Sequence, residues 1–184
     1  MAKPTQEEIL KELGISGAGA TIVTPGGSAP SGNSDHGDSL GNDPTMEGMW
    51  ALKAMEHAEI HFNLLCALDP SLLKLTPKDD VIYEEFRKEF PDFKIDKLAE
   101  DTLKSPAAKE KWRPFCNKFQ EEVEDFSFAT LVRIDCNDEY SEKNTILVTR
   151  IQFLCIEVAR NREKFNESIR HNFKPKPRTK KINA

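Results

Sequence analysis

Two histidines four residues apart, His57 and His61 in "AMEHAEIHFNLL", have the spacing at which one face of a helix can bind a zinc ion. Zinc hydrolases of the His-Glu-x-x-His type also need a glutamate base directly after the first histidine. Ala58 occupies that position here. Glu59 comes one place later and, at about 100° per residue, points away from any ion shared by the histidines. The motif therefore lacks its general base and predicts no hydrolase.

A structural zinc site would need two further ligands. The remaining histidines, His36 and His171, lie in segments that we predict to be flexible, and no Cys-x-x-Cys pair occurs. Both helix histidines also lie on or beside an apolar stripe. We therefore favour histidines packed at the margin of the core over a metal site. The sequence predicts no catalytic, cofactor-binding or metal-ligating residue.

The four cysteines favour buried, reduced thiols. Cys66, Cys116 and Cys155 stand in apolar surroundings, where free cysteine behaves as a small hydrophobic residue. The N-terminus does not resemble a secretory signal, and no run approaches the roughly 20 apolar residues of a membrane span. We therefore expect a cytoplasmic protein without membrane contact, with nuclear entry left open. We also expect a monomer.

Composition divides the chain into three parts. Residues 1–43 hold eight of the nine glycines and cannot bury enough apolar surface, so we predict that they are mostly disordered. Within them, Thr5 and Glu8 form a capping box that would start a short helix over residues 6–13. Residues 170–184 form a basic flexible tail without acidic residues. Two interpretations of this tail stay open: contact with RNA, ribosome or an acidic protein, or solubility alone.

The middle part, residues 44–169, predicts a mainly α fold with a minor β component. Apolar residues recur every three to four positions, which indicates a compact single-domain helical core with one or two short strands. Pro114 lies inside one helical pattern and predicts a kink or restart near Arg113. The predicted helices cover about 46–68, Thr76–Phe90, Ser105–Phe126 and 147–169.

Two short stretches complete the fold prediction. "FATLVRIDC" is rich in β-forming residues and predicts a strand, with "FKIDKL" as the candidate pairing partner. "EKWRPFCNKF" interleaves basic and aromatic residues, as surfaces that stack nucleic-acid bases do. Its aromatic residues share one helical stripe, however, which favours a core face over a nucleic-acid surface.

One polar residue in the last helix predicts a buried ion pair. Arg162 falls within the inward stripe of the helical wheel, and an unpaired buried guanidinium would cost several kcal/mol. We therefore expect a structural ion pair with Asp135, or with Asp125, that ties the helix to the strand. The alternative is that Arg162 lines a groove for a partner.

Four further residues are candidate partner contacts. Arg160 falls on the outer side of the last helix, and Arg150 and Arg113 would add positive charge to an otherwise acidic surface. Tyr140 lies in the polar loop "NDEYSEKN", and exposed loop aromatics are common interaction residues.

Three blocks of sequence carry a family resemblance over about residues 41–166: "GNDPTMEGMWALKAMEHAEIHF", "KEKWRPFCNKF…VEDFSFATLVRID" and "NTILVTRIQFLCIEVARNREKFN". Together they resemble the polysaccharide biosynthesis domain-containing family, small intracellular proteins of eukaryotes. The family pattern has an aromatic residue at His61, which weakens the case for a metal. The resemblance implies a distant similarity to plant glucuronoxylan methyltransferases, through "RID", Tyr140, Arg150 and "ARNR".

The resemblance implies two different functions. A nucleotide-like methyl donor normally needs a glycine-rich turn, and Gly48 is the single glycine of residues 44–169, so we do not transfer the methyltransferase activity. A methyl-donor or sugar enzyme stays as an alternative. The resemblance also implies association with ribosomes and with the biogenesis of translation elongation factor 1-alpha. We therefore expect a non-enzymatic, ATP-independent dedicated chaperone, with RNA binding by the tail as the second alternative.

Overall fold

The computed structural model describes residues 44–176, with side chains described from Ala51 onward. Within this range six α-helices and two strands occur, which confirms the predicted mainly α fold with a minor β component. The predicted helix over residues 6–13 lies outside the described residues. The elements are α1 (Pro44–Ala67), α2 (Asp79–Glu89), α3 (Asp101–Lys104), α4 (Pro106–Asn117), β1 (Ala129–Arg133), β2 (Thr145–Thr149), α5 (Arg150–Arg162) and α6 (Glu167–Asn172), with 3-10 turns at Pro70–Leu72 and Glu142–Asn144.

Helix α5 is the central element of the fold. Every residue from Ile151 to Asn161 is buried, and the helix contacts α2, β1 and β2. A capping box fixes its start: Gln152 N donates to Thr149 Oγ1 over 3.4 Å, and Thr149 N donates to Gln152 Oε1 over 3.0 Å. Because both groups at the cap are satisfied, the chain can turn directly from strand into helix.

The predicted helix over residues 147–169 is divided in the structure. Its first three residues belong to β2, whose sequence "TILVT" is rich in β-branched residues that favour a strand. The helix ends at Arg162, and Lys164 has a positive φ of 69° in the turn that separates α5 from α6. The helical period alone did not show these two boundaries.

The sheet is a single antiparallel pair. Ala129 of β1 lies opposite Thr149 of β2, and Arg133 lies opposite Thr145. The strand predicted in "FATLVRIDC" is therefore present, but its main partner is β2. "FKIDKL" contributes one isolated bridge, Lys97 with Asp135, beyond the end of β1.

Helix α2 begins two residues later than predicted. Thr76 and Pro77 were expected as cap and first turn, but the helix starts at Asp79. The buried carboxylate of Asp79 accepts hydrogen bonds of 2.8 Å from both Leu75 N and Thr76 N. These bonds hold the chain before the helix in a turn, and the carboxylate lies at the positive helix end, where it is stabilised.

Helix α4 passes through Pro114 and ends at Asn117, so the predicted helix to Phe126 is too long. Turns follow from residue 118 to 128. Phe119 and Val123 are nevertheless buried, because the turns keep these apolar side chains on the core. Ser105 caps the helix as predicted: its Oγ accepts from Ala108 N over 3.2 Å.

The aromatic residues of α2 and α4 pack on each other. Phe90 and Trp112 stack with ring centroids 4.1 Å apart, and Phe115 meets Phe90 edge to face at 5.4 Å. Trp112 is buried, and its Nε1 donates to Thr102 O over 3.0 Å. The aromatic stripe is therefore a core face, which leaves no ring at Trp112 free to stack on a nucleic-acid base.

The beginning of the predicted flexible tail belongs to the folded body. Residues 170–172 complete α6, and residues 173–176 lie against α1. Residues 177–184 lie outside the described residues. Among residues 44–176, no helix is long and apolar enough to cross a membrane.

Candidate functional site

Three fully buried charged side chains meet at the centre of the fold. Glu157 of α5 lies between two guanidinium groups, Arg133 of β1 and Arg160 one turn further along α5. Arg160 Nη1 donates to Glu157 Oε1 over 2.7 Å, and Arg133 Nη2 lies 3.3 Å from Oε2. All three side chains have no solvent-exposed surface. The triad therefore links the central helix to the sheet through charge.

Main-chain carbonyls accept further hydrogen bonds from the two arginines of this triad. Arg160 Nε donates to Ile95 O over 2.7 Å and its Nη2 to Ile134 O over 3.1 Å. Arg133 Nη1 donates to Cys136 O over 2.8 Å. These bonds connect the segment before α3 and the loop after β1 to α5, because a buried guanidinium needs an acceptor for its donors.

Two asparagines extend the network toward α6. Asn166 donates from Nδ2 to Glu157 Oε2 over 3.0 Å and accepts from Arg133 Nη2 over 2.7 Å. The same Nδ2 lies 2.7 Å from Asn161 Oδ1. Asn166, at the turn between α5 and α6, therefore bridges Glu157 and Arg133.

His61 and Tyr140 form the side of the network that faces α1. His61 Nδ1 lies 2.9 Å from the Tyr140 hydroxyl, and its Nε2 lies 3.7 Å from Glu157 Oε2. Because a carboxylate faces Nε2, we assign the ring proton to Nε2, so that Nδ1 accepts from the tyrosine hydroxyl. Phe153 packs edge-on against the imidazole with ring centroids 5.0 Å apart.

Burial and neighbouring charge set the protonation of these groups. Burial lowers the pKa of His61 to about 3, so the imidazole is neutral at pH 7 and its contact with Glu157 is not an ion pair. For Glu157, burial alone would raise the pKa, but Arg133 and Arg160 outweigh it and hold the pKa well below its ordinary value. Burial, with Glu157 nearby, raises the pKa of Tyr140 above its ordinary range.

His57 lies one turn before His61 and lines a small pocket between α1 and β1. Its Nδ1 is buried without a hydrogen-bond partner. Burial, and then the positive charge of Arg150, lower the pKa of His57 to about 4. Residues 44–176 contain no group of three or more His, Cys, Asp or Glu side chains arranged to hold a metal ion.

The predicted ion pair between Arg162 and Asp135 is wrong. Arg162 lies at the surface, where it pairs with Asp80 of α2 and stacks 5.1 Å from the Tyr83 ring centroid. Asp135 accepts from Asn137 N over 2.9 Å within its own loop. Because α5 is buried on all sides until its last turn, the helical wheel could not distinguish an inward stripe, and the exposed C-terminal end carries Arg162 into solvent.

Two of the candidate partner contacts are held within the fold: Arg160 is buried and Tyr140 is half-buried. Arg160, expected on the outer side of the helix, is in the triad, and Tyr140, expected in an exposed loop, bonds to His61. Arg150 is half-buried beside the His57 pocket, and Arg113 is exposed on α4. The structure therefore brings Tyr140 and Arg160 into one network and leaves Arg150 and Arg113 outside it.

Sequence reasoning missed Arg133 and Glu157, the two other members of the triad. One signal was available: Glu157 lies inside the otherwise apolar run from Phe153 to Ala159, and Arg160 follows this run directly, three residues after Glu157. Charged residues in such a run indicate a buried pair, because an unpaired charge in a central helix would be too costly.

The polar network acts as a structural device. Its charged atoms have no access to solvent, and most of its donors and acceptors are paired, while Arg133 Nε, His61 Nε2 and Asn161 Nδ2 are buried without a hydrogen-bond partner. A buried network of this kind favours one arrangement of the elements that it joins. The accessible features lie elsewhere, on the outer face of α1. There Leu52 and Met55 expose 64% and 63% of their surface.

The fold and this network together define a mainly helical protein whose central helix is tied to a two-stranded sheet by buried charge. The family model of the PBDC1 protein matches residues 46–171. The human "Protein PBDC1" is 51% identical over 146 residues, which cover 79% of this chain and 63% of the human protein. The PBDC1 homolog of Saccharomyces cerevisiae is 41% identical and aligned over 67% of this chain and 88% of its own length. The chain belongs to the PBDC1 family.

A solved structure supports the same fold. The solution NMR structure of protein yst0336 from Saccharomyces cerevisiae is 37% identical, with a TM-score of 0.65. The match covers 74% of this chain and all of the yeast chain. The yeast protein therefore shares the fold of this chain.

These findings correct the family named from the sequence. The matching family model and the relatives named above carry the PBDC1 name, and none is described as a polysaccharide biosynthesis protein or a methyltransferase. The short blocks that suggested glucuronoxylan methyltransferases include Arg160 and Tyr140. Both side chains belong to the network around Glu157.

Proposed function

We propose that this chain is a non-enzymatic protein-binding factor, an ATP-independent dedicated chaperone that assists the biogenesis of translation elongation factor 1-alpha at the ribosome. The client is the one implied by the resemblance drawn from the sequence. One structural observation supports a binding role: Leu52 and Met55 lie three residues apart on α1 with most of their surface exposed. Residues at this spacing share a helix face, and such apolar faces bind partner segments.

The network beneath α1 supports the same proposal. His61 of α1 bonds to Tyr140, and α1 also packs against β1. A helix fixed in this way presents its outer side chains in one geometry, which lowers the entropy lost on binding a client. Glu56 and Glu59 lie close to the apolar pair in sequence and add acidic character to this part of α1.

The test is suppression of client aggregation. Denatured translation elongation factor 1-alpha is diluted into buffer without nucleotide, and light scattering is followed with and without the full-length chain. We expect near-complete suppression at an equimolar ratio. The double variant Leu52→Ser/Met55→Ser should lose most of it, because the apolar contact is removed.

A matched control uses Leu72, which is 76% exposed in the 3-10 turn Pro70–Leu72 and lies outside α1. The variant Leu72→Ser should suppress aggregation as well as the unchanged chain does. Absence of suppression by the unchanged chain, or equal suppression of an unrelated denatured protein, would refute a dedicated chaperone.

A further inference from the structure

The segment Phe173–Lys176 lies against α1 directly after α6 ends, without regular secondary structure, and begins with extended backbone at Phe173. One α1 residue, Asn63, holds its main chain: Asn63 Nδ2 donates to Lys176 O over 3.0 Å, and Lys176 N donates to Asn63 Oδ1 over 3.0 Å. Asn63 is only 3% exposed beneath this contact. A single buried amide thus makes both main-chain hydrogen bonds of one extended residue.

Two side-chain contacts frame this pair of bonds. The Phe173 ring meets Phe62 edge to face, with centroids 5.4 Å apart. Lys176 Nζ lies 3.3 Å from Glu139 Oε2, with the lysine side chain exposed and the glutamate side chain half-exposed, so this ion pair adds little stability and mainly favours a basic residue at this position. The contacts select an aromatic residue followed three positions later by a basic one, while Asn63 binds the main chain itself.

The sequence of the segment prepares it for this extended conformation. In "FKPKP" each lysine precedes a proline, and a residue before proline is restricted to extended backbone. Little conformational entropy is then lost when the segment binds. The segment bonds to Asn63 and Glu139 and packs on Phe62, and none of these residues is a member of the charged triad, so the segment can leave without breaking the ion pairs of Glu157.

We propose that residues 173–176 are an internal ligand in a peptide-binding groove formed by Phe62, Asn63 and Glu139. The natural occupant in trans is an extended segment of a partner protein, with an aromatic residue followed three positions later by Lys or Arg. The inference rests on the proposed protein-binding function and specifies the kind of segment that this surface recognises. The chain's own segment competes with the partner segment for the groove.

The experiment measures binding of a fluorescent peptide of residues 170–184 to full-length chains by fluorescence anisotropy. In the variant Phe173→Ser/Lys176→Pro the internal segment loses its ring contact and its N–H donor, while the groove keeps all its residues. We expect the peptide to bind this variant at least tenfold more tightly than the unchanged chain, because a tethered competitor acts at an effective concentration of about 1 mM.

Two controls separate groove binding from non-specific attraction of a basic peptide. A peptide with the Lys176→Pro change keeps most of its charge but lacks the N–H for Asn63, and it should bind at least tenfold more weakly. We call Phe173→Ser/Lys176→Pro the released variant, because its internal segment no longer occupies the groove. When Asn63→Leu is added to it, the peptide should no longer bind, and circular dichroism checks that the helix content is unchanged.

The inference is overturned when the folded released variant does not bind the peptide, or when both peptides bind all chains equally. This failure differs from failure of the proposed function. If the unchanged chain suppresses client aggregation but the folded Phe173→Ser/Lys176→Pro variant does not bind the peptide, the groove alone is refuted. A chain that binds the peptide but does not suppress aggregation refutes the chaperone proposal alone.

Discussion

Arg160 Nη1 donates a 2.7 Å hydrogen bond to Glu157 Oε1, and neither side chain has any exposed surface. The two residues lie one helical turn apart on α5, and Arg133 of β1 pairs with the same carboxylate. Removing one partner of a buried ion pair leaves an uncompensated charge, which destabilises more than the pair itself stabilises. The triad therefore makes the fold sensitive to single changes at its centre.

The variant Glu157→Gln should lower the free energy of unfolding by about 3–5 kcal/mol, because Arg133 and Arg160 lose the carboxylate that both contact. Urea unfolding followed by circular dichroism measures this loss. Arg162→Gln is the control, since its ion pair with Asp80 lies at the surface and should barely shift the midpoint. Equal midpoints for Glu157→Gln and the unchanged chain would contradict the structural role of the triad.

The stability of the fold should fall with pH below about 6.5 because of its two buried histidines. Burial lowers the pKa of His57 to about 4 and that of His61 to about 3, from an ordinary value of 6.5. Between these values the unfolded chain binds a proton that the folded chain does not. Each histidine should therefore remove about 1.4 kcal/mol of unfolding free energy per pH unit, measured by urea unfolding from pH 7 to 4.5.

Substitutions test the assignment of this pH dependence. His57→Phe and His61→Phe should each reduce the number of protons taken up on unfolding from about two to about one. In the double variant the free energy of unfolding should be nearly independent of pH between pH 4.5 and pH 7. Below pH 4.5 the free energy of unfolding should fall for a second reason. The pKa of Glu157 is lowered in the folded state, so the unfolded state binds a proton more strongly there. A slope that the histidine variants leave unchanged would refute the prediction.

Tyr140→Phe should cost about 1–3 kcal/mol, because it leaves the buried His61 Nδ1 without its 2.9 Å partner. Tyr83→Phe is the matched control. Its hydroxyl also donates to an acceptor, Glu163, over 3.2 Å, but Glu163 keeps both hydrogen bonds from Arg87. We expect a clearly smaller loss in thermal or urea unfolding for Tyr83→Phe, and the reverse order would contradict the network described here.

The four cysteine thiols should resist modification in the folded protein. All are free and buried, and burial raises the pKa of Cys66 and of Cys116 to about 11. Since the thiolate is the reactive form, Ellman's reagent at pH 8 should label few thiols before denaturant is added and all of them afterwards. Rapid labelling of one full equivalent in the native state would identify an accessible thiol and contradict this prediction.

The sequence predicted the helical elements well where one face of a helix meets the core. The stripe of α1 and the capping serine of α4 are examples, since apolar spacing and Ser105 are local signals. The sequence did not show where α5 begins, because residues 147–149 are apolar enough for a helix and β-branched enough for a strand. Pairing with β1 decided between them, and that contact is non-local.

The polar site was harder to predict for a related reason. A helical wheel assumes one buried side, but α5 is buried on every side from Ile151 to Asn161. The wheel therefore assigned Arg162 to the interior and Arg160 to the surface, and both assignments were reversed. The partners of Arg160 also come from distant segments, such as Ile95, and a single sequence carries no signal for those hydrogen bonds.

The position of α5 along the chain determines when the protein can finish folding. This helix supplies the centre of the core, yet α1, α2 and β1 all precede it in the chain. Helices α1 and α2 and the strand β1 therefore leave the ribosome before the element that they pack against exists. Until Glu157 has left the ribosome, Arg133 lacks its carboxylate partner, so the last step of native packing occurs late and over long sequence distances.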